Sequence, residues 1–303
     1  MLDIMIIGGG PAGMTAGLYA ARMGLKAVVY ERLMVGGQAS TTNIIENYPG
    51  HAQGIGGPEL MMEFQQQAES AGCEISYDEV SALNLQGDIK TAQTSSGEVQ
   101  ARAAILCMGA QARKLDVPGE ELFRGRGVSY CATCDGAFYR GKRVLVVGGG
   151  NTAAEDALYL SGLCERVYMV HRRDALRADA ALVRRIELKS NIEMVWNSTV
   201  TEFTGTKSLE RAKIRGVNTG EIHEIEVAGA FIAVGQVPQS DLVRGAIETD
   251  AAGFIVAGED TQTSLPGVFA AGDIRTKPLR QVVTAASDGA VAASMAGRYL
   301  TMK

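Results

Sequence analysis

The chain has 303 residues, about twice the ~150 of a typical domain, so two domains are expected. Apolar residues at 46% and charged residues at 21% exclude wholesale disorder, and 29 Lys+Arg against 34 Asp+Glu leave a net charge of -5 that argues against a nucleic-acid partner. No apolar run approaches the ~18 residues of a membrane span and no basic leader opens the chain, so a cytoplasmic protein is expected, neither secreted nor in a membrane.

In chain order, Asp3 to Ile7 reads as a short buried strand running into GGGPAG, Gly8 to Gly13. A helical stretch from Met14 to Met23 stops at Gly24, and a second apolar strand, Lys26 to Tyr30, closes on Glu31. A helical segment, Glu59 to Ala71, leads to alternating strands broken at Gln86-Gly87-Asp88 and Ser96-Gly97, then to an apolar strand ending at Gly109. After YCATCDG, Tyr130 to Gly136, the plan begins again. A strand Arg143 to Val147 meets GGGNTA, Gly148 to Ala153, followed by a helix through Ser161 and a strand Arg166 to Val170 closing on His171. Another helical segment, Ala178 to Lys189, and further strands end at Gly235. The likeness is that of a duplicated unit of roughly a hundred residues. Last come VFAAGD, Val268 to Asp273, and a helical stretch from Arg280 to Leu300.

A glycine-rich turn between a strand and a helix is suited to a pyrophosphate. Gly8 and Gly148 permit the tight turn; Gly10 and Gly150 let a phosphate approach the backbone; Gly13, or Ala153 in the second copy, lets the helix pack on the strand. The phosphates then meet free N–H groups at the helix start, where Pro11, Ala12, Asn151 and Thr152 stand. The residue 23 positions beyond the first glycine separates the two sites. Glu31 accepts hydrogen bonds from a free ribose hydroxyl and repels a 2′-phosphate. His171, Arg172 and Arg173 in the second copy, with Arg177 expected one helical turn beyond, bind a 2′-phosphate through charge-assisted hydrogen bonds. FAD and NADPH together fit this pair. Gly272-Asp273 supplies an acid for a ribitol hydroxyl, and the helix that follows favours negative charge at its N-terminus.

Of the five cysteines, Cys73, Cys107 and Cys164 sit among apolar neighbours and read as buried, inert thiols. Cys131 and Cys134 form the only C-x-x-C, a spacing suited to dithiol–disulfide exchange. Zinc would need two more ligands, and the chain has no second C-x-x-C or H-x-x-x-H, so no metal is expected. Asp135 either donates a proton to a leaving thiolate or serves only as a turn former before Gly136.

With these residues assembled, the chain resembles the low-molecular-weight thioredoxin reductases among the pyridine nucleotide–disulfide oxidoreductase flavoproteins. The likeness runs from Met1 to the C-terminus through GGGPAG, GGQ (Gly36 to Gln38), ENYPG (Glu46 to Gly50), CATCDG, GGGNTAAEDA, HRRDALR and AAGD. It implies an α/β fold of two Rossmann-like (ββα three-layer) nucleotide-binding domains. The NADPH domain, 115–240, would carry the redox pair and be inserted into a discontinuous FAD domain, 1–114 and 241–303. It also implies that Glu31, Arg32, Gly36, Gly37, Gln38 and Asn47 line the FAD, with Gly272, Asp273, Arg280, Gln281 and Val282 at its other end and Gly109 and Gly235 closing the two nucleotide sites. Arg275, Thr276 and Lys277 fall in the variable part of that last loop and are left out of the site. The implied activity carries electrons from NADPH through FAD and the Cys131–Cys134 disulfide to oxidised thioredoxin, in a homodimer, with Cys134 nearest the flavin. The resemblance further implies that the inserted domain swivels between two arrangements. Rival readings are a reductase of another thioredoxin-fold carrier or of a small-molecule disulfide, and a flavin-bound redox sensor.

Overall fold

The computed structural model describes residues 1–42 and 44–302 of the chain. They divide into two compact units, Met1–Gln111 with Val237–Lys303, and Ala112–Gln236. The divisions fall three and four residues before the expected 114 and 240.

In the first unit, five strands pair in parallel in the order Glu74–Ser76, Ala27–Tyr30, Leu2–Ile7, Gly97–Leu106, Val268–Ala270. Gly97–Leu106 is long because it serves two partners. Its later half lies beside Leu2–Ile7, and its earlier half pairs antiparallel with Lys90–Thr94, which pairs with Val80–Asn84. Side chains of the parallel strands alternate between two cores. Ile4, Ile6 and Ile105 face the helices Pro11–Arg22, Gly57–Ser70 and Val282–Thr301. Met5, Ile7 and Leu106 face the opposite layer, with Ile255 and Ile274. The first two helices begin with proline in their first turn, where its missing N–H costs nothing. Both stop in the same six-to-one hydrogen-bond pattern: Leu25 N–H to Ala20 O, 3.1 Å, and Cys73 N–H to Ala68 O, 3.0 Å.

The second unit repeats this plan. Its parallel order is Ile192–Val195, Arg166–Val170, Arg143–Gly148, Gly229–Ala233, Val128–Ser129. One face packs Val144, Val146 and Phe231 against Ala153, Ala157 and Leu160 of the helix Asn151–Ser161. The other packs Leu145, Val147 and Ile232 against an antiparallel layer, Ser198–Gly205, Leu209–Gly216 and Ile222–Glu226. Both units are Rossmann-like three-layer α/β folds. They differ in their fifth strand. In the first unit that strand arrives after the chain has left and returned; in the second it comes before the glycine turn.

Three helices begin at Pro11, Gly57 and Ala180 where Met14, Glu59 and Ala178 are expected, and three further features differ. The last helix starts at Val282, because Gln281 is extended and closes a reciprocal cap with Thr284. The strand at VFAAGD ends at Ala270, and Gly272–Ile274 forms a 3-10 turn. Residues 171–179 contain no helix, so Arg177 is not one helical turn from the arginine pair; a loop brings it back. Among the described residues, no helix is long and apolar enough to cross a membrane.

Candidate functional sites

The first glycine turn is closed by contacts that no side chain would allow. Gly8 lies at φ +105°, and a Cβ there would sit 2.5 Å from Cys107 O; a Cβ on Gly13 would sit 1.8 Å from Gly8 O. Gly10 is the contrast, since a Cβ there meets nothing within 4 Å. The space above it is open, and the helix Pro11–Arg22 starts there without a side-chain cap, leaving its first N–H groups available. Glu31 reaches beneath this turn. One carboxylate oxygen accepts the Gly9 N–H at 2.8 Å and the other the Leu33 N–H at 3.2 Å. Gly36 N–H donates to Gly9 O at 2.9 Å, Gly37 lies against Gly10, and the Gln38 amide donates to Ala110 O. Arg32 points outward and pairs with Glu79 at 3.7 Å, both side chains mostly exposed.

The C-terminal segment meets the same turn. A Cβ on Gly272 would lie 3.0 Å from the Ala12 side chain, and one on Gly289 would lie 2.1 Å from Ala12 O. The Asn47 amide donates to Gln281 Oε1 at 3.0 Å, linking two distant segments of the expected FAD set, and Val282 opens the helix beside them. Asp273 Oδ1 is buried and has no hydrogen-bond partner among the described residues. Burial pushes its carboxyl up, against the pull of Lys277 and Arg280. Arg280 stacks over Phe254 at 4.0 Å and donates to the carbonyls of Asp273 and Arg275. Gly109 takes φ +72° with open space above it, and its carbonyl accepts the Gln239 N–H.

In the second turn, a Cβ on Gly148 would sit 2.4 Å from Ala233 O, while Ala153 fills the place of the third glycine. Gly150, like Gly10, has nothing within 4 Å of the Cβ position. Asn151 is tied to Asp179 by two side-chain bonds of 2.9 Å, and Thr152 is exposed. His171 lies under Gly149 as Glu31 lies under Gly9; a Cβ on Gly149 would be 2.2 Å from its ring. The imidazole is buried, and its Nε2 has no partner among the described residues. Burial, then Arg177, Arg173 and Arg172, lowers its pKa. Those three arginines are exposed, and none has an acidic partner among the described residues. Arg177 joins them because its N–H bonds Gly149 O at 2.7 Å. Gly235, at φ +113°, accepts the Arg113 N–H.

These features fit the two implied cofactors. Each turn pairs an open cradle with unused helix N–H groups, suited to a pyrophosphate. The first turn adds a buried carboxylate oxygen without a partner among the described residues, suited to a hydroxyl donor, and the second adds three guanidinium groups without acidic partners among them, suited to a phosphate monoester.

Cys131 and Cys134 form a disulfide, with Cα atoms 5.3 Å apart. Cys131 caps the short helix Ala132–Asp135, its N–H held by Ser129 Oγ at 3.1 Å. Glycine at 136 lets this helix press onto the helix Asn151–Ser161; a Cβ there would meet Tyr159 at 2.9 Å and Leu160 at 3.0 Å. Burial, then the nearby Asp135 charge, raises the Tyr139 phenol to about 12. Cys73, Cys107 and Cys164 are buried free thiols, all pushed up by burial, Cys73 and Cys164 to about 11, so they stay protonated at neutral pH. No group of three or more metal-binding side chains occurs among the described residues.

Sequence reasoning missed the residues that brace Gly272. Asp288 Oδ2 accepts the Gly272 N–H at 2.9 Å, and the same carboxylate holds Arg275 and Lys277. The signal was present as charge within an apolar helix and a variable loop.

A family model described as pyridine nucleotide-disulphide oxidoreductase matches residues 2–289. The thioredoxin reductase of Mycolicibacterium smegmatis is 44% identical over 299 residues, covering 98% of this chain and 96% of that protein. That of Treponema pallidum is 43% identical, covering 98% and 97%. The crystal structure of thioredoxin reductase from Streptococcus pyogenes matches with a TM-score of 0.93 at 43% identity, covering 100% of this chain and 99% of that one.

Proposed function

The chain belongs to the pyridine nucleotide-disulphide oxidoreductase family, in its thioredoxin reductase branch, and from that premise we propose how its residues divide the work of an NADPH-dependent thioredoxin-disulfide reductase. The Cys131–Cys134 disulfide carries this reading, because a pair three residues apart, once reduced, exchanges with another protein's disulfide. When bound, FAD and NADPH supply the two-electron chemistry that reduces this disulfide, and the resulting dithiol reduces oxidised thioredoxin.

The first unit binds FAD. Gly8 to Gly13 hold the pyrophosphate on the helix N-terminus, Glu31 takes the ribose hydroxyl, and Asp273 offers its unpartnered oxygen to a ribitol hydroxyl. The second unit binds NADPH. Gly148 to Ala153 hold its pyrophosphate, and Arg172, Arg173 and Arg177 surround the 2′-phosphate, with His171 beneath Gly149 shaping the floor. In the dithiol state, the Cys134 thiolate attacks the partner's disulfide and forms a mixed disulfide. Cys131 then displaces the reduced partner, and Asp135 supplies the proton that the leaving thiolate takes.

A homodimer, a cytoplasmic compartment and a swivel of the inserted unit complete the proposal; they rest on family resemblance, and light scattering tests the first. The activity is tested with the purified protein, NADPH and oxidised thioredoxin, beside small-molecule disulfides. Thioredoxin is reduced at least tenfold more efficiently. Cys134→Ser abolishes this while NADPH still bleaches the flavin; retained disulfide reduction would make the C-x-x-C a bystander.

A further inference from the structure

Beneath the Gly272–Ile274 turn, three charged side chains are almost sealed from solvent. Arg275, Lys277 and Asp288 are 11%, 4% and 9% exposed. Arg275 forks onto Asp288 through Nε at 2.8 Å and Nη2 at 2.7 Å; Lys277 Nζ donates to Oδ2 at 2.7 Å, and the Gly272 N–H to the same oxygen at 2.9 Å. The remaining Arg275 nitrogen donates to the carbonyls of Ala257 and Thr276 at 3.1 Å. Asp288 thus grips both ends of the segment that carries Asp273. Burial alone would push the Asp288 carboxyl up; the hydrogen bonds and charges of Arg275 and Lys277 together hold it below its ordinary value.

One feature exceeds what bracing requires. The bidentate arginine already matches the carboxylate in charge and geometry. Lys277 brings a second cation into a buried place, where an ion is expensive to desolvate, and among the described residues it has no carboxylate partner besides Asp288. Arg280 adds a third, held by carbonyls over Phe254. Three cations face two carboxylates within the cluster, Asp288 and Asp273, and the exposed Asp250 faces Arg280 from outside it, leaving the surplus on the buried Arg275–Lys277–Asp288 group. At the low effective dielectric of a buried site, a surplus positive charge acts over several ångströms.

We propose that Asp288 is a positioning residue of the flavin site and that the positive charge left over in its cluster, contributed by Lys277, raises the reduction potential of the bound flavin. The inference rests on assigning FAD to the first unit. A group that gains electrons gains negative charge, and a fixed buried cation favours that state. The bracing keeps Asp273 Oδ1 aimed at its ligand instead of collapsing onto Lys277.

The test is the flavin potential, read by equilibration with reference dyes, together with flavin affinity read by fluorescence. Lys277→Gln keeps its flavin and shifts the two-electron equilibrium about tenfold toward the oxidised form, about 30 mV lower. Lys277→Arg restores most of the shift. Asp288→Asn weakens flavin affinity at least tenfold; where it fails to fold, Asp288→Glu, which keeps the charge and shifts the carboxylate by one methylene, is read for flavin affinity in its place. A wild-type potential in flavin-loaded Lys277→Gln overturns the charge assignment, and wild-type affinity in Asp288→Asn overturns the positioning role. A wild-type chain that takes up no flavin overturns the FAD assignment itself.

Discussion

Glu31 and His171 occupy the same place in the two copies of the unit, each beneath the second glycine of its turn. Around Glu31 the carboxylate is absorbed into the turn by the Gly9 and Leu33 N–H groups. Around His171 the ring is buried, its Nε2 has no partner among the described residues, and three exposed arginines form the rim. The backbone geometry of the turn therefore answers what the two nucleotides share, a pyrophosphate. The side chains at the end of the second strand answer what differs, the ribose.

The sharpest way to break this comparison is to strip the rim of the second turn. Arg172→Ala with Arg173→Ala removes two charge-assisted contacts of ~1.5–3 kcal/mol each, so kcat/KM for NADPH falls at least about 100-fold. Use of NADH changes less than about threefold. Equal losses in steady-state assays with both nucleotides would remove the 2′-phosphate assignment.

The third glycine offers a paired test. Gly13→Ala places a methyl 1.8 Å from Gly8 O, and the strain costs about 1–3 kcal/mol in unfolding experiments. The second copy already carries alanine, so Ala153→Gly costs only about 0.5–1 kcal/mol, from helix entropy and lost packing. If the two substitutions prove equally costly, the turns are not built alike.

Gly10→Ala and Gly150→Ala separate the fold's needs from a ligand's. Neither new methyl meets protein, so Tm of the ligand-free chain stays within about 2 °C. Flavin retention falls in the first variant and NADPH affinity in the second, each about tenfold. A drop in Tm without loss of binding would make these glycines structural.

A last, pH-dependent effect concerns a site where the copies diverge inside a helix. Counted from the first glycine of each turn, Asp156 stands where the first copy buries Ala16. Burial, then Glu155, pushes the Asp156 carboxyl up to about 7. The folded state thus holds a proton that the unfolded chain releases near pH 4, so this residue costs stability increasingly as pH rises from about 4 to 7. Asp156→Ala is expected to raise Tm more at pH 8 than at pH 5; a pH-independent change would contradict the burial argument.

Much of both sites was legible because its signals are local. A strand running into clustered glycines, a residue 23 positions on, and two cysteines three apart each encode short-range geometry. The strand Arg166–Val170 likewise follows from apolar periodicity, whereas the first helix begins at Pro11, three residues before the expected Met14. Arg177 comes back to Gly149 through a loop, where the residue types suggest a helical turn. A loop tied to Gly149 O cannot be distinguished from a helical turn by residue type.

From the sequence alone came the duplicated plan, the opposed charges beside the two turns and the vicinal sulfur pair, because periodicity, φ preference and spacing act within a few residues along the chain. Only the tertiary structure decided that the fifth strand enters from opposite ends of the two units and that Glu31 bonds Gly9. It alone brought Arg275 and Lys277 onto Asp288, 13 and 11 positions away. Which carboxylate a buried cation finds depends on where water is excluded, and that is settled only when distant segments have packed.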